Sequence, residues 1–258
     1  MQRQIRTTRD QHPLLPDRAR RRATEAAAKG IVMRIVLTVL TVVAVGLVPS
    51  AGLAWHDETH LAVAKAAGYG KWYNAAGADI TKIKAGDVEQ KNHYVNNPPG
   101  TVVTAAMVME QVARYNQPQD QNGHLYGAII AVIREYRSSR LAAKYAAYHL
   151  AFCAHYVGDL SQPLHNSAYG DYNRQYHVAT DGIIEDEVLY NLPLIETYPI
   201  HIGSEADLAR EIARIANLSL QLGERLAREQ RLITRQEAYI QIGHSASLFK
   251  AILEFVDR

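Results

Sequence analysis

The sequence predicts an all-α domain, on three observations. Apolar residues recur at three- and four-residue spacing through most of the chain from Trp55 onward. No segment alternates with the period of two that a half-buried strand requires. Ser204 with Asp207, and Thr234 with Glu237, stand in capping-box spacing at the head of the two longest periodic runs. The predicted organisation is a basic extension over 1–32, a signal peptide over 33–54 and one multi-helix domain over 55–258.

The elements follow in order. Residues 1–32 are basic and rich in Arg, Ala and Gln. Met33-Arg34 forms a short positive n-region, and it offers an alternative start that would exclude 1–32 from the protein. Ile35 to Val48 is apolar but short for a membrane span. Pro49 and Ser50 break it, and small residues at Gly52 and Ala54 suit cleavage between Ala54 and Trp55, hence export to the periplasm or medium; an uncleaved anchor is the alternative. "HDETHLAVAKAAG" (56–68) has acids at its start and Gly68 at its end, as a helix should. Helical periodicity continues through 101–116, 124–137, 140–159, 204–229 and 234–258. Loops are expected at 96–100, 117–123, 161–175 and 191–203, giving six or seven helices.

Composition narrows the function. Phe is scarce and Tyr common, 3 against 15, so the expected core is aliphatic with Tyr at its edges. The formal charge of +2 hides an uneven distribution. Nine of 28 Lys and Arg precede Trp55, with three of 26 Asp and Glu, leaving 19 basic and 23 acidic residues in the body. A body at −4 does not advertise a non-specific polyanion surface. Cys153 is the one cysteine, so no intramolecular disulfide forms, and it reads as a small buried apolar residue.

The chemistry concentrates in the histidines, of which there are eleven. His155 and Asp159 lie four apart, on one face of a helix, and His165 returns after Gln162-Pro163 ends that helix. His177 and Asp181 repeat the spacing. Imidazole and carboxylate at these intervals suit zinc. A single such pair is usually a surface hydrogen bond; two pairs around "GDLSQPLH" are metal-ligand spacing.

"HYVGDLSQPLH" (155–165) resembles the central motif of the superfamily that contains zinc-dependent bacterial phospholipase C and the single-strand-specific zinc nucleases. The resemblance runs from Trp55 to about Asp181; the C-terminal helices match only in general character. It implies an all-α fold holding three zinc ions in a cleft, and a mature N-terminus at Trp55 whose amino group and carbonyl oxygen bind metal. Trp55 and His60 match the N-terminal ligands. His93, in "NHYVNNPP", matches the ligand followed by an aromatic. Asp79, fourteen residues earlier, fits the family's aspartate better than Asp87 does. His155 and Asp159 complete this half, with Asp159 placed to bridge two metals, and His165, His177 and Asp181 would hold the third zinc.

The activity so implied is hydrolysis of a phosphodiester by a zinc-activated hydroxide attacking phosphorus in line. Asp79 would orient the nucleophile or take its proton, and Lys82, one turn on, would stabilise developing negative charge; its bland alternative is a solvated lysine. Tyr94 and Asn96 are candidates to contact substrate, or else a core-edge aromatic and a turn residue. His56, His124, His149, His201 and His244 read as structural or solvated. The acidic body without disulfides, "HYVGD" and the step from Asp79 to His93 lean toward a phospholipid head-group, with peripheral membrane contact. The step from Trp55 to His60, Lys82, "QPLH" and Asp at 181 lean toward a nuclease or 3'-nucleotidase on single-stranded nucleic acid. A non-catalytic zinc-binding protein is the third reading. No obligate protein partner is expected.

Overall fold

The computed structural model describes residues 55–139 and 145–258. The basic extension, the signal peptide and Ala54 lie outside the described residues. Nine α-helices are found among those described: α1 (Asp57–Ala66), α2 (Gly77–Ala85), α3 (Asp87–Gln90), α4 (Ala105–Gln111), α5 (Leu125–Ser139), α6 (Ala146–Leu160), α7 (Asp171–Asp181), α8 (Glu205–Glu229) and α9 (Arg235–Val256). Pairing in the β manner is limited, among these residues, to one isolated parallel bridge between Asn97 and Ser167. The all-α expectation holds.

The helix count exceeds the expected six or seven, because α2 and α3 are too short to display a repeated period, and α7 begins inside the stretch read as a loop. The run at 101–116 is helical only from Ala105. Thr104 caps that helix by accepting from the Met107 amide. Val103 before it lies outside the helix, with its N–H and C=O both bonded to the Asn217 side chain at 2.8 Å.

Helices α5 and α6 form the centre. Every residue from Leu125 to Ile133 is buried, and α6 is buried along most of its second half. Each fully buried Leu or Ile there contributes about 1.5–3 kcal/mol. Two tyrosines depart from the expected edge placement: Tyr126 and Tyr156 are completely buried. Such burial requires a partner for the hydroxyl. Tyr126 accepts from Asn97 Nδ2 at 2.8 Å and donates to Asn166 Oδ1 at 2.9 Å, and Tyr156 donates to Glu89. A second apolar cluster gathers Trp55, Ala62, Val63, Ile184, Val188, Leu222, Leu226 and Ile242.

The two long C-terminal helices start where the caps predicted. Ser204 accepts from the Asp207 amide, while the Asp207 carboxylate accepts from Gly203 N–H. Thr234 and Glu237 form the full reciprocal box. Gly223 of α8 meets the turn at Pro163: a Cβ there would sit 2.9 Å from the Pro163 carbonyl oxygen. This close approach fixes α8 beneath the "QPLH" turn.

That turn is tied to the segment carrying His93. The Val95 amide donates to the His165 carbonyl at 2.8 Å, and His165 Nδ1 lies 2.8 Å from the His93 carbonyl. Two short, irregular stretches thereby run side by side and bring their histidines together.

Candidate metal centre

Six segments converge on one buried cluster. Helix α1 carries His60, α2 carries Asp79 and Lys82, the turn after α3 carries His93, α6 carries His155 and Asp159, and α7 carries His177 and Asp181, with His165 on the intervening 3-10 turn. Three groups have ligand atoms mutually within 4.8 Å: His60, Asp79 and His155; His93, His155 and Asp159; His165, His177 and Asp181. All eight side chains predicted as ligands are in these groups.

Asp159 is the hub. Its Oδ1 lies 3.5 Å from His60 Nε2 and 3.4 Å from His165 Nδ1, and its Oδ2 lies 3.0 Å from His93 Nδ1 and 3.5 Å from His155 Nε2. The two oxygens face different rings, as a bridging carboxylate must. Lys82 Nζ sits 2.7 Å from Asp79 Oδ1 and its side chain is only 14% exposed, so the solvated-lysine alternative fails.

The outward hydrogen bonds set which nitrogen each ring presents. A carbonyl oxygen only accepts, so the ring nitrogen facing it carries the proton. His155 Nδ1 donates to the Ala75 carbonyl at 2.9 Å, and His165 Nδ1 to that of His93. Asn173 spends its Nδ2 on the Leu164 carbonyl, so its Oδ1 accepts from His177 Nδ1 at 2.6 Å. In its neutral form each of the three rings therefore turns an unprotonated Nε2 inward. His165 Nε2 and His177 Nε2 stand 3.1 Å apart with lone pairs facing one another, and Asp181 Oδ2 is 3.3 Å from the second. Such an arrangement is repulsive until a cation lies between the groups.

Other atoms repeat the demand. Both nitrogens of His60, Oδ2 of Asp79, both oxygens of Asp159 and Oδ2 of Asp181 are buried without a well-directed hydrogen bond. Buried polar groups are almost always partnered, so this concentration fits metal ions, and the His/Asp donor set fits zinc. The electrostatics agree. Burial, reinforced by His155, lowers His60 to about 3. Burial and then His165 lower His177 to about 3, and burial lowers His155. These rings are neutral and available as ligands. Burial opposes ionisation of Asp159 and Asp79, yet the surrounding rings, with Lys82 for Asp79, hold both carboxyls well below the usual range. Asp181 is pushed well above it by burial and by the charges of Asp159 and Asp79. Burial and Lys82 oppose charge on His93, but the carboxylates of Asp159 and Glu89, one at each ring nitrogen, raise it above its ordinary value.

His60 has no outward partner; packing holds it. Its ring stacks on His155 at 3.7 Å and lies over Gly158, where a Cβ would come within 2.5 Å of Nδ1.

The remaining predicted residues are placed as follows. Trp55 is fully buried against α1 and the second apolar cluster, outside the three side-chain groups. Tyr94 is half-buried, its hydroxyl accepting from Lys91. Asn96 is bonded through its side chain to Gln121 and through its amide to Asn122, in the structural manner of a turn residue. His124 is buried between Asp120 and Asn92, His149 pairs with Glu135, and His244 faces Tyr198. A groove of about 730 Å3 lined by Glu187, Tyr198, Arg235, Tyr239 and His244 shares no residue with the cluster.

Sequence reasoning missed two residues that serve the centre. Gln162 donates to Asp181 Oδ1 and accepts from the Leu164 and His165 amides, yet its position before Pro163 marked it only as a helix terminator. Asn173 stands four residues before His177, a helical spacing that could have found it. No family model, curated protein or solved structure matches the chain.

Proposed function

We propose that the domain is an exported, zinc-dependent phosphoric ester hydrolase of phospholipase C type. The observation that carries this reading is the set of inward nitrogens: His155 Nε2 beside the anionic Asp159 and Asp79, and His165 Nε2 and His177 Nε2 facing one another beside Asp181. His60, Asp79, His93, His155, Asp159, His165, His177 and Asp181 would hold three zinc ions, with the freed amino group of Trp55 as a further ligand. Zinc would supply Lewis-acid stabilisation of the phosphoryl oxygens and a nucleophilic water at neutral pH.

The chain's own groups do the rest. Asp159 holds four imidazoles in register from the rigid, buried α6. Asp79, anionic beside Lys82, can accept a proton from water or orient it. Lys82, paired but slightly exposed at the cluster's edge, places a cation where negative charge develops. The walls of buried aliphatic residues exclude bulk water and strengthen each of these interactions.

Exposed Ile80 and Ile83, 64% and 77% accessible, favour the lipid reading. They lie on the outer face of α2, the helix whose inner face carries Asp79 and Lys82, so an apolar surface adjoins the candidate site. The Lys82–Asp79 pair itself favours the second reading, a single-strand nuclease or 3'-nucleotidase, because this lysine was among the nuclease-like features of the sequence.

Purified zinc-loaded protein should release phosphorylated head-group from phosphatidylcholine in mixed micelles. Cleavage of single-stranded DNA with no lipid turnover would replace the first reading by the second. Bound zinc with no hydrolysis of either ester would leave a metal-binding protein.

A further inference from the structure

We propose that Glu89 is the positioning residue that makes His93 present Nδ1, not Nε2, to the metal centre; this rests on the metal-centre reading above. Glu89 lies on α3 and is 4% exposed. Its Oε1 stands 3.3 Å from His93 Nε2 and accepts from the Tyr156 hydroxyl; its Oε2 accepts from Asn92 Nδ2 at 3.2 Å. Three donors from three residues surround one carboxylate, which is how a buried anion is tolerated.

The consequence for His93 follows from the ring's two nitrogens. Asp159 also faces Nδ1, but with the Asp159 charge taken up by a metal ion, Glu89 in front of Nε2 would hold the ring's one proton there and leave Nδ1 as the lone-pair nitrogen. That Nδ1 lies 3.0 Å from Asp159 Oδ2, 3.2 Å from His155 Nε2 and 3.7 Å from Asp79 Oδ1. His155, His165 and His177 have the reverse arrangement, with Nδ1 bonded outward and Nε2 facing in. Their outer acceptors are neutral carbonyl or amide oxygens. Of these four rings only His93 is oriented by an ionisable acceptor, which makes the imidazole a stronger electron donor to a metal.

Glu89 is itself held from two sides. Tyr156 follows His155 on α6, so one helix supplies two ligands and the hydroxyl that fixes Glu89. Asn92 is anchored by Asn116, whose Oδ1 accepts from Asn92 Nδ2 at 2.9 Å, and by His124 Nε2, 2.9 Å from Asn92 Oδ1. The orientation of His93 is therefore imposed by a buried polar network reaching to the 116–124 loop.

The test compares wild type with Glu89→Gln. Zinc affinity is measured by competition with a chromogenic chelator, the visible absorption of the cobalt-substituted protein is recorded, and thermal unfolding of the metal-free protein is followed alongside. The expected result is a 10- to 100-fold weaker affinity for one metal equivalent and a shifted cobalt spectrum. Tyr156→Phe, which keeps the carboxylate, should change both less. Unaltered affinity and cobalt spectrum in Glu89→Gln, with or without a drop in metal-free stability, overturns the proposal. If Glu89→Gln does not fold, Glu89→Asp takes its place: retreat of the carboxylate by one methylene should weaken the same equivalent, and undiminished affinity overturns the proposal. Wild type that binds neither zinc nor cobalt overturns the metal-centre reading, and this proposal with it, whereas wild-type binding unaffected by either variant overturns this proposal alone.

Discussion

The carboxylate of Glu185 caps the helix that bears His60, through Thr59. It accepts from the Thr59 amide at 3.1 Å, from the Thr59 hydroxyl at 3.0 Å and from the Glu58 amide at 2.7 Å. The local N-cap, His56, contributes no side-chain bond, so the cap comes from a distant segment four residues beyond Asp181. Replacing Glu185 by Ala should cost about 1–2 kcal/mol, the range of a lost N-cap. A chemical denaturation midpoint unchanged from wild type would contradict this role.

Gly158→Ala should dislodge His60. The added methyl meets the ring nitrogen at 2.5 Å on a buried helix face, whereas the same change at Gly170 meets nothing within 4 Å. Overpacking of this kind costs about 1–3 kcal/mol. Gly158→Ala should also bind less metal than Gly170→Ala, by atomic absorption on dialysed samples; equal metal content in the two would refute the placement of His60.

His177→Gln should remove metal and also change the pH response of the metal-free protein. His177 titrates near 3 when folded because of burial, against an unfolded value near ~6.5. Between these values the unfolded chain binds the extra proton, so this residue's effect on stability worsens as pH falls through that window. Going from about pH 7 to pH 5, the melting temperature of the variant should therefore gain on that of metal-free wild type. A difference that stays constant between the two pH values would mean that His177 is not held neutral.

Zinc should stabilise the folded chain strongly, because the ligands converge only on folding. At a free concentration a hundred times the dissociation constant, one site contributes about 2.7 kcal/mol, or roughly 5–11 °C for a domain of this size. Differential scanning calorimetry with and without a chelator measures it; coincident transitions would argue against metal in the cluster.

Lys82→Ala tests the proposed hydrolysis. Lys82 neutralises Asp79 without being among the ligand groups. Its loss should lower kcat by about 100-fold, the scale of one electrostatic contact to the transition state, while the zinc count stays at the wild-type value. A variant with full activity would return Lys82 to a purely structural role.

The sequence by itself determined the local features. Caps at Ser204 and Thr234, the helical period of the long runs, and the i, i+4 pairs His155/Asp159 and His177/Asp181 depend on residues within a turn or two, so spacing reveals them. Spacing marked His155, Asp159, His165, His177 and Asp181 as candidate ligands; His60, Asp79 and His93 lie too far apart in sequence for that and were named only by the family resemblance. Tertiary structure alone decided the rest. Whether a histidine presents Nδ1 or Nε2 depends on acceptors such as Ala75, 80 residues from His155. The Glu185 cap spans 126 residues to Thr59, and Tyr156 reaches Glu89 across 67. Burial is also collective: Tyr126 and Tyr156 are edge residues by composition, and become core residues only where distant polar groups satisfy their hydroxyls. Periodicity places a side chain on a face, but the partner across that face is fixed only when the helices pack.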